Sequence, residues 1–147
     1  RTLITKNFSI ISWSPDDTKI LYLAKEDTTL PIMIKPRLLG ITNALTETRK
    51  IIKGQIYVYN VKEDINIHLF DTLPPSLTWF PDSEHLILVD EKKIVIMEYD
   101  GSNKTTVYAG PFLDHYVFPW PDGSKLVVLT NLNNALTEPN LYTVSLK

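Results

Sequence analysis

Three aspartates recur in one setting, and a carboxylate held in place can serve a metal ion or a proton transfer. They are Asp16, Asp82 and Asp122, in Ser12-Trp13-Ser14-Pro15-Asp16, Thr78-Trp79-Phe80-Pro81-Asp82 and Phe118-Pro119-Trp120-Pro121-Asp122. Pro15, Pro81 and Pro121 each preset φ at about −65° for the second position of a tight turn, and an Asp there accepts hydrogen bonds from the amides just ahead. The turn role therefore outweighs the catalytic one. Trp13, Trp79 and Trp120 could stack a sugar or a peptide, but large aromatics at repeated positions usually pack, so a core role is expected. His68, His85 and His115 lie far apart and show no zinc-ligand spacing. No serine sits in a nucleophile elbow, and no Walker or dinucleotide glycine loop exists. The chain has no cysteine, which removes thiolate chemistry and disulfides. The expectation is a protein that is not an enzyme, with no metal and no cofactor. Asn7-Phe8-Ser9 and Asn103-Lys104-Thr105 match the glycosylation sequon, a pattern short enough to arise by chance.

The elements that position these residues are strands. Each Pro-Asp pair leads into an apolar run, at 19–23, 85–89 and 125–129, and the three runs align on the proline without a gap. Self-similarity of this kind marks a repeat architecture. The unit has four strands. Strand a precedes the Pro-Asp turn and strand b follows it. Strand c is expected at 55–61, 93–99 and 140–146, and strand d at 65–70 and 104–108. The b runs are nearly all apolar, as in strands covered on both faces. Gly123 suits a left-handed turn position, which Asp17 and Ser83 fill in the other copies. Asp100-Gly101 marks the hairpin turn between c and d, with 60–64 as its counterpart in the first unit.

The 147 residues suffice for one domain with a sizeable core, and 44% hydrophobic with 22% charged content reads as ordered and globular. A net charge of −2 provides no global field toward nucleic acid, which is not an expected partner. No apolar run approaches the roughly 20 residues of a membrane span. The chain begins at Arg1, so a fragment or processed product is expected, with any targeting segment upstream.

Pro81 and Pro121 are 40 residues apart, the size of a four-stranded propeller blade, whereas Pro15 and Pro81 are 66 apart. The 26 extra residues fall between b and c of the first unit, at about 26–54. This insert holds the basic residues Lys35, Arg37, Arg49, Lys50 and Lys53, and the apolar Ile32, Met33, Ile34, Leu38 and Leu39. Long loops in compact folds are functional or disordered. Two readings stand: the insert grips a protein partner, or it folds back on its own blade as decoration. The pentapeptide Asn-Ala-Leu-Thr-Glu occurs at 43–47 and again at 134–138, both between b and c.

Trp13-Ser14-Pro15-Asp16 with its strand, and Tyr99-Asp100-Gly101-Ser102-Asn103, resemble the WD40-like propeller repeats of TolB-type proteins. The similarity covers most of the chain outside the insert. It departs where Asp17 and Ser83 replace the motif's glycine, and where Pro119 takes the aromatic slot with Trp120 one place later. Similar repeats occur in the propellers of prolyl-oligopeptidase-like peptidases. The resemblance implies a periplasmic or cell-surface binding propeller.

The expected architecture is thus an all-β, partial β-propeller over 1–147 with three four-stranded blades. One blade is split between the termini, since the third unit lacks a d strand and residues 1–6 precede the first a strand. Three blades fall below the roughly four to eight that usually close a ring, so a homodimer would complete a six-bladed one. The expected function is a scaffold that binds a protein partner. The alternatives are the substrate-gating propeller of a larger serine hydrolase and a self-assembling structural piece.

Overall fold

The computed structural model describes residues 6–34, 47–90, 92–113, 116–132, 134 and 136–146. Two compact units divide the chain, Arg1–Leu73 and Pro74–Lys147. The first carries β1 (Phe8–Trp13), β2 (Lys19–Ala24), β3 (Thr28–Thr29), β4 (Lys50–Ile51), β5 (Ile56–Asn60) and β6 (Ile65–Phe70). The second carries β7 (Ser76–Trp79), β8 (His85–Asp90), β9 (Lys93–Glu98), β10 (Thr105–Ala109), β11 (Val117–Pro119), β12 (Lys125–Thr130) and β13 (Asn140–Ser145). Every pairing is antiparallel. The all-β class expected from the sequence holds, and the strands fall where the repeat placed them to within a residue or two.

Two sheets are complete a-b-c-d meanders, and a third carries a, b and c. The first runs β1-β2-β5-β6, the second β7-β8-β9-β10 and the third β11-β12-β13. None closes on itself. The b-to-c register keeps the same phase in all three, with Lys19 opposite Asn60, His85 opposite Glu98 and Lys125 opposite Ser145.

The a-to-b turns share one geometry. The N–H of Ser14, Phe80 and Trp120 donates to the carbonyl of Lys19, His85 and Lys125, at 2.9, 2.8 and 2.8 Å. Asp17, Ser83 and Gly123 then take φ of 59°, 65° and 69°, and each donates its N–H back to the residue before the proline. The aspartate side chain closes the turn. Asp16 Oδ1 accepts from the Thr18 N–H at 3.1 Å, Asp82 Oδ1 from the Glu84 N–H at 2.9 Å, and Asp122 Oδ1 from the Ser124 N–H at 2.8 Å. The Ser14 hydroxyl also donates to Asp16 at 2.6 Å, and with the Thr18 donors it holds that carboxyl well below the usual carboxylate range. In the third copy Pro119 pairs with Leu126, as Trp13 pairs with Ile20 and Trp79 with Leu86.

The first unit buries an aromatic ladder. Tyr22 and Tyr57 are cross-strand partners, stacked at 5.5 Å between centroids, with Phe8 and His68 edge-on at either end. Such pairs contribute about 0.5–1.5 kcal/mol each beyond their area. The Tyr22 hydroxyl donates to Asn66 Oδ1 at 2.7 Å, and burial pushes its phenol far above the usual value. The second unit has an aliphatic core: Ile87, Val89 and Ile94 of one sheet meet Val117, Leu126 and Val128 of the other, with Phe80 alongside.

The core role expected for the tryptophans holds for Trp79 alone, which is 8% exposed. Trp13 and Trp120 are 46% and 49% exposed. A bulge at Ile11 shifts the register of β1, and Ile10, Ile11 and Trp13 of that strand all reach the surface.

Candidate functional site

The insert begins as a continuation of the first sheet's outer layer. β3 and β4 pair Thr28 with Ile51 and Thr29 with Lys50. This places Ile51, 1% exposed, against Tyr22, Ala24 and Tyr57. Further along, Glu47 bridges to Ile67, and Thr48 exchanges bonds with Asn66: its N–H donates to the Asn66 carbonyl, and Asn66 Nδ2 donates to its carbonyl, both at 2.9 Å. The described part of the insert therefore lies over its own sheet and covers part of the β6 edge.

One carboxylate anchors this layer. Asp64 ends the c-to-d turn with φ of 53°, and its side chain is 2% exposed. Oδ2 accepts from the N–H groups of Met33 and Ile34, at 2.7 and 3.0 Å. Oδ1 accepts from Arg49 Nη1 at 2.9 Å and from the Tyr59 hydroxyl at 2.7 Å. Arg49 also donates to the carbonyls of Pro31 and Asp64 and, through Nε, to Glu47 at 2.7 Å. Burial works against the charge on Asp64, but these donors prevail and hold its carboxyl well below the ordinary range. The Tyr59 phenol, buried and facing that carboxylate, is pushed up to about 12.

Three of the five basic residues of the insert are described, and they do not act alike. Arg49 is consumed by the anchor. Lys50 and Lys53 are exposed, with the Lys53 N–H fixed to Asp27 Oδ1 at 2.8 Å. Lys35 and Arg37 lie outside the described residues, as do most of the repeated pentapeptide at 43–47, His115 and residues 1–5. What the anchor does present is apolar. Ile32, Met33 and Ile34 are 41%, 71% and 45% exposed, although the backbone at Met33 and Ile34 is pinned. Reversing both free lysines (Lys50→Glu with Lys53→Glu) should leave the thermal midpoint nearly unchanged, within about 0.5 kcal/mol, because neither lysine holds the layer down. A melt displaced by much more would show that they do.

Among the described residues no group of three or more His, Asp or Glu is placed to hold a metal ion. Among them, too, no helix is long and apolar enough to cross a membrane. The three Pro-Asp carboxylates are occupied by turn amides. Sequence reasoning passed over Asp64, whose partners in the insert lie 15 to 31 positions away. It also passed over His85, whose Nδ1 is 2.6 Å from Asp82 Oδ2. The signal was legible in that case: the histidine stands three residues after a turn aspartate.

No family model and no curated protein matches the chain. Among solved structures it is similar to one described as "putative TolB from Agrobacterium tumefaciens", with 17% identity and a TM-score of 0.49. The match covers 95% of this chain and 50% of that one, so the chain spans half the length of that structure.

Proposed function

We propose that this chain is a non-catalytic binding scaffold of propeller-type blades that holds a protein partner outside the cytoplasm. The three meanders, each entered through the same Pro-Asp turn, are the blades in this reading. The repeat motif is the ground for the location. One observation carries the binding role: the buried Asp64–Arg49 pair fixes a stretch of backbone whose side chains, Ile32, Met33 and Ile34, face solvent. Burying a charged pair is costly. Spending one to pin exposed apolar residues makes sense where those residues meet another protein, since a preordered apolar anchor loses little freedom on binding.

The test is retention of a partner from an extract of the native host by the immobilised chain, compared with Met33→Asp. The substitution adds a charge at a 71% exposed position and leaves the Met33 N–H available to Asp64. The expected result is a partner held by the wild type and lost by the variant, with identical melting curves. Equal retention by both would remove the insert from the binding surface.

A further inference from the structure

The second sheet departs from its counterparts at the first residue of strand b. That residue is Lys19 in β2 and Lys125 in β12, but His85 in β8. The backbone role is unchanged, since all three carbonyls accept the turn N–H. The side chain differs. Asp82 Oδ1 accepts the N–H groups of Glu84 and His85, and Oδ2 meets His85 Nδ1. Burial opposes the Asp82 charge, yet these donors keep its carboxyl below the usual range. A carboxylate only accepts, so Nδ1 carries the proton, and in the neutral ring Nε2 is an acceptor.

His85 lines a cleft of about 300 Å³, near the lower bound for ligand sites. Ile96, Val107 and Leu146 supply its apolar wall, and Thr105 and Ser145 add hydroxyls. Asn103 completes the polar side. Its Nδ2 donates to Glu98 Oε1 at 2.5 Å, which leaves Oδ1 and the second N–H of the amide. The neutral imidazole thus presents an acceptor, and the amide presents its carbonyl oxygen beside one N–H. The carboxylates of Asp82 and Glu98 stand one bond behind them.

We propose that this cleft takes an ammonium or guanidinium group on an aliphatic stem, namely a lysine or arginine side chain of a partner protein. The acceptors meet the cationic head, and the apolar wall meets the methylenes. Only the source of that side chain rests on the protein-binding reading; the cation preference does not.

The experiment follows the His85 ring and Asn103 side-chain resonances by NMR during titration of the full chain. The probes are Nα-acetyl-lysine amide, Nα-acetyl-arginine amide, Nα-acetyl-norleucine amide, Nα-acetyl-glutamate amide and 1,4-diaminobutane. The two capped cations should saturate these resonances with dissociation constants on the order of millimolar. Norleucine amide should bind at least about tenfold more weakly. His85→Lys restores the residue of the other two sheets and so keeps the fold, but it puts a cation in the cleft and should abolish the shifts. Thr105→Val, which keeps the shape and removes a hydroxyl, should weaken binding several-fold. Equal binding of norleucine amide, preferential binding of glutamate amide, or no saturable shift with the capped cations would overturn the proposal. So would binding of the diamine alone, which would assign the cleft to a free amine. None of these outcomes bears on Met33 and the insert.

Discussion

Replacing Asp64 with alanine is expected to cost the first unit about 3–5 kcal/mol, because it takes one of two carboxylates from a mostly buried guanidinium and leaves three further donors without their acceptor. Arg49 is 16% exposed at the side chain, and it would lose one charge-assisted bond while keeping Glu47. The Met33 and Ile34 N–H groups and the Tyr59 hydroxyl would lose their acceptor in the same step. The thermal midpoint of this unit should fall by more than about 10 °C. Arg49→Met alone should also destabilise. The double variant should be less damaged than the two single losses summed, since the guanidinium that lost a partner is then gone. Additive losses would mean that the pair is not coupled. Acid provides a second handle. The folded-state pKa of Asp64 lies below its unfolded value, so its contribution is complete above the ordinary carboxylate range and is lost as pH falls through it. Below about pH 4 the wild type should lose stability faster than Asp64→Asn, which has no charge to protonate. Parallel acid profiles for the two proteins would contradict this.

Gly123→Val should cost the second unit about 2–4 kcal/mol, the sum of a backbone penalty and a collision. Gly123 holds φ of 69°, a region that a β-branched residue resists. A Cβ there would stand 2.9 Å from Phe80 Cε1, and Phe80 is packed in the aliphatic core, so the ring has no free direction to yield. The equivalent positions offer the control. Asp17 and Ser83 already hold the same φ with side chains, so Asp17→Gly, at an exposed position, should shift stability by only a few tenths of a kcal/mol. Chemical denaturation monitored by tryptophan fluorescence reads both. A Gly123→Val protein as stable as the wild type would mean that the Phe80 side of this turn is looser than the structure has it.

The turn was the most legible feature of the sequence because its demands are local. A proline, an aspartate that reaches the amides ahead, and a residue able to adopt positive φ are all specified within four positions. The offset third copy was legible for the same reason: counting from Pro121 puts Pro119, not Trp120, opposite the second residue of strand b. The tryptophans were not. Burial of a strand residue depends on what covers its sheet: Trp13 and Trp79 hold equivalent register positions, and only Trp79 is covered. Arg49 was unreadable as an anchor, since its partner is chosen by the return path of the insert across the c-to-d turn. Among the five basic residues of the loop, nothing in the letters marks Arg49 as one that turns inward. His85 could have been found by laying the three copies side by side and asking where a lysine is exchanged.

The strip of backbone at Glu47 and Thr48 that lies along β6 has a consequence for assembly. A bare outer strand is a template on which other chains can polymerise. By bonding Thr48 to Asn66 in both directions, the insert acts as a built-in chain terminator for the first sheet: it occupies the growth site with a segment too short and too irregular to be copied onward. Shortening the loop would then do more than trim an appendage. It would expose a propagating end and convert a discrete folded unit into one prone to fibre growth.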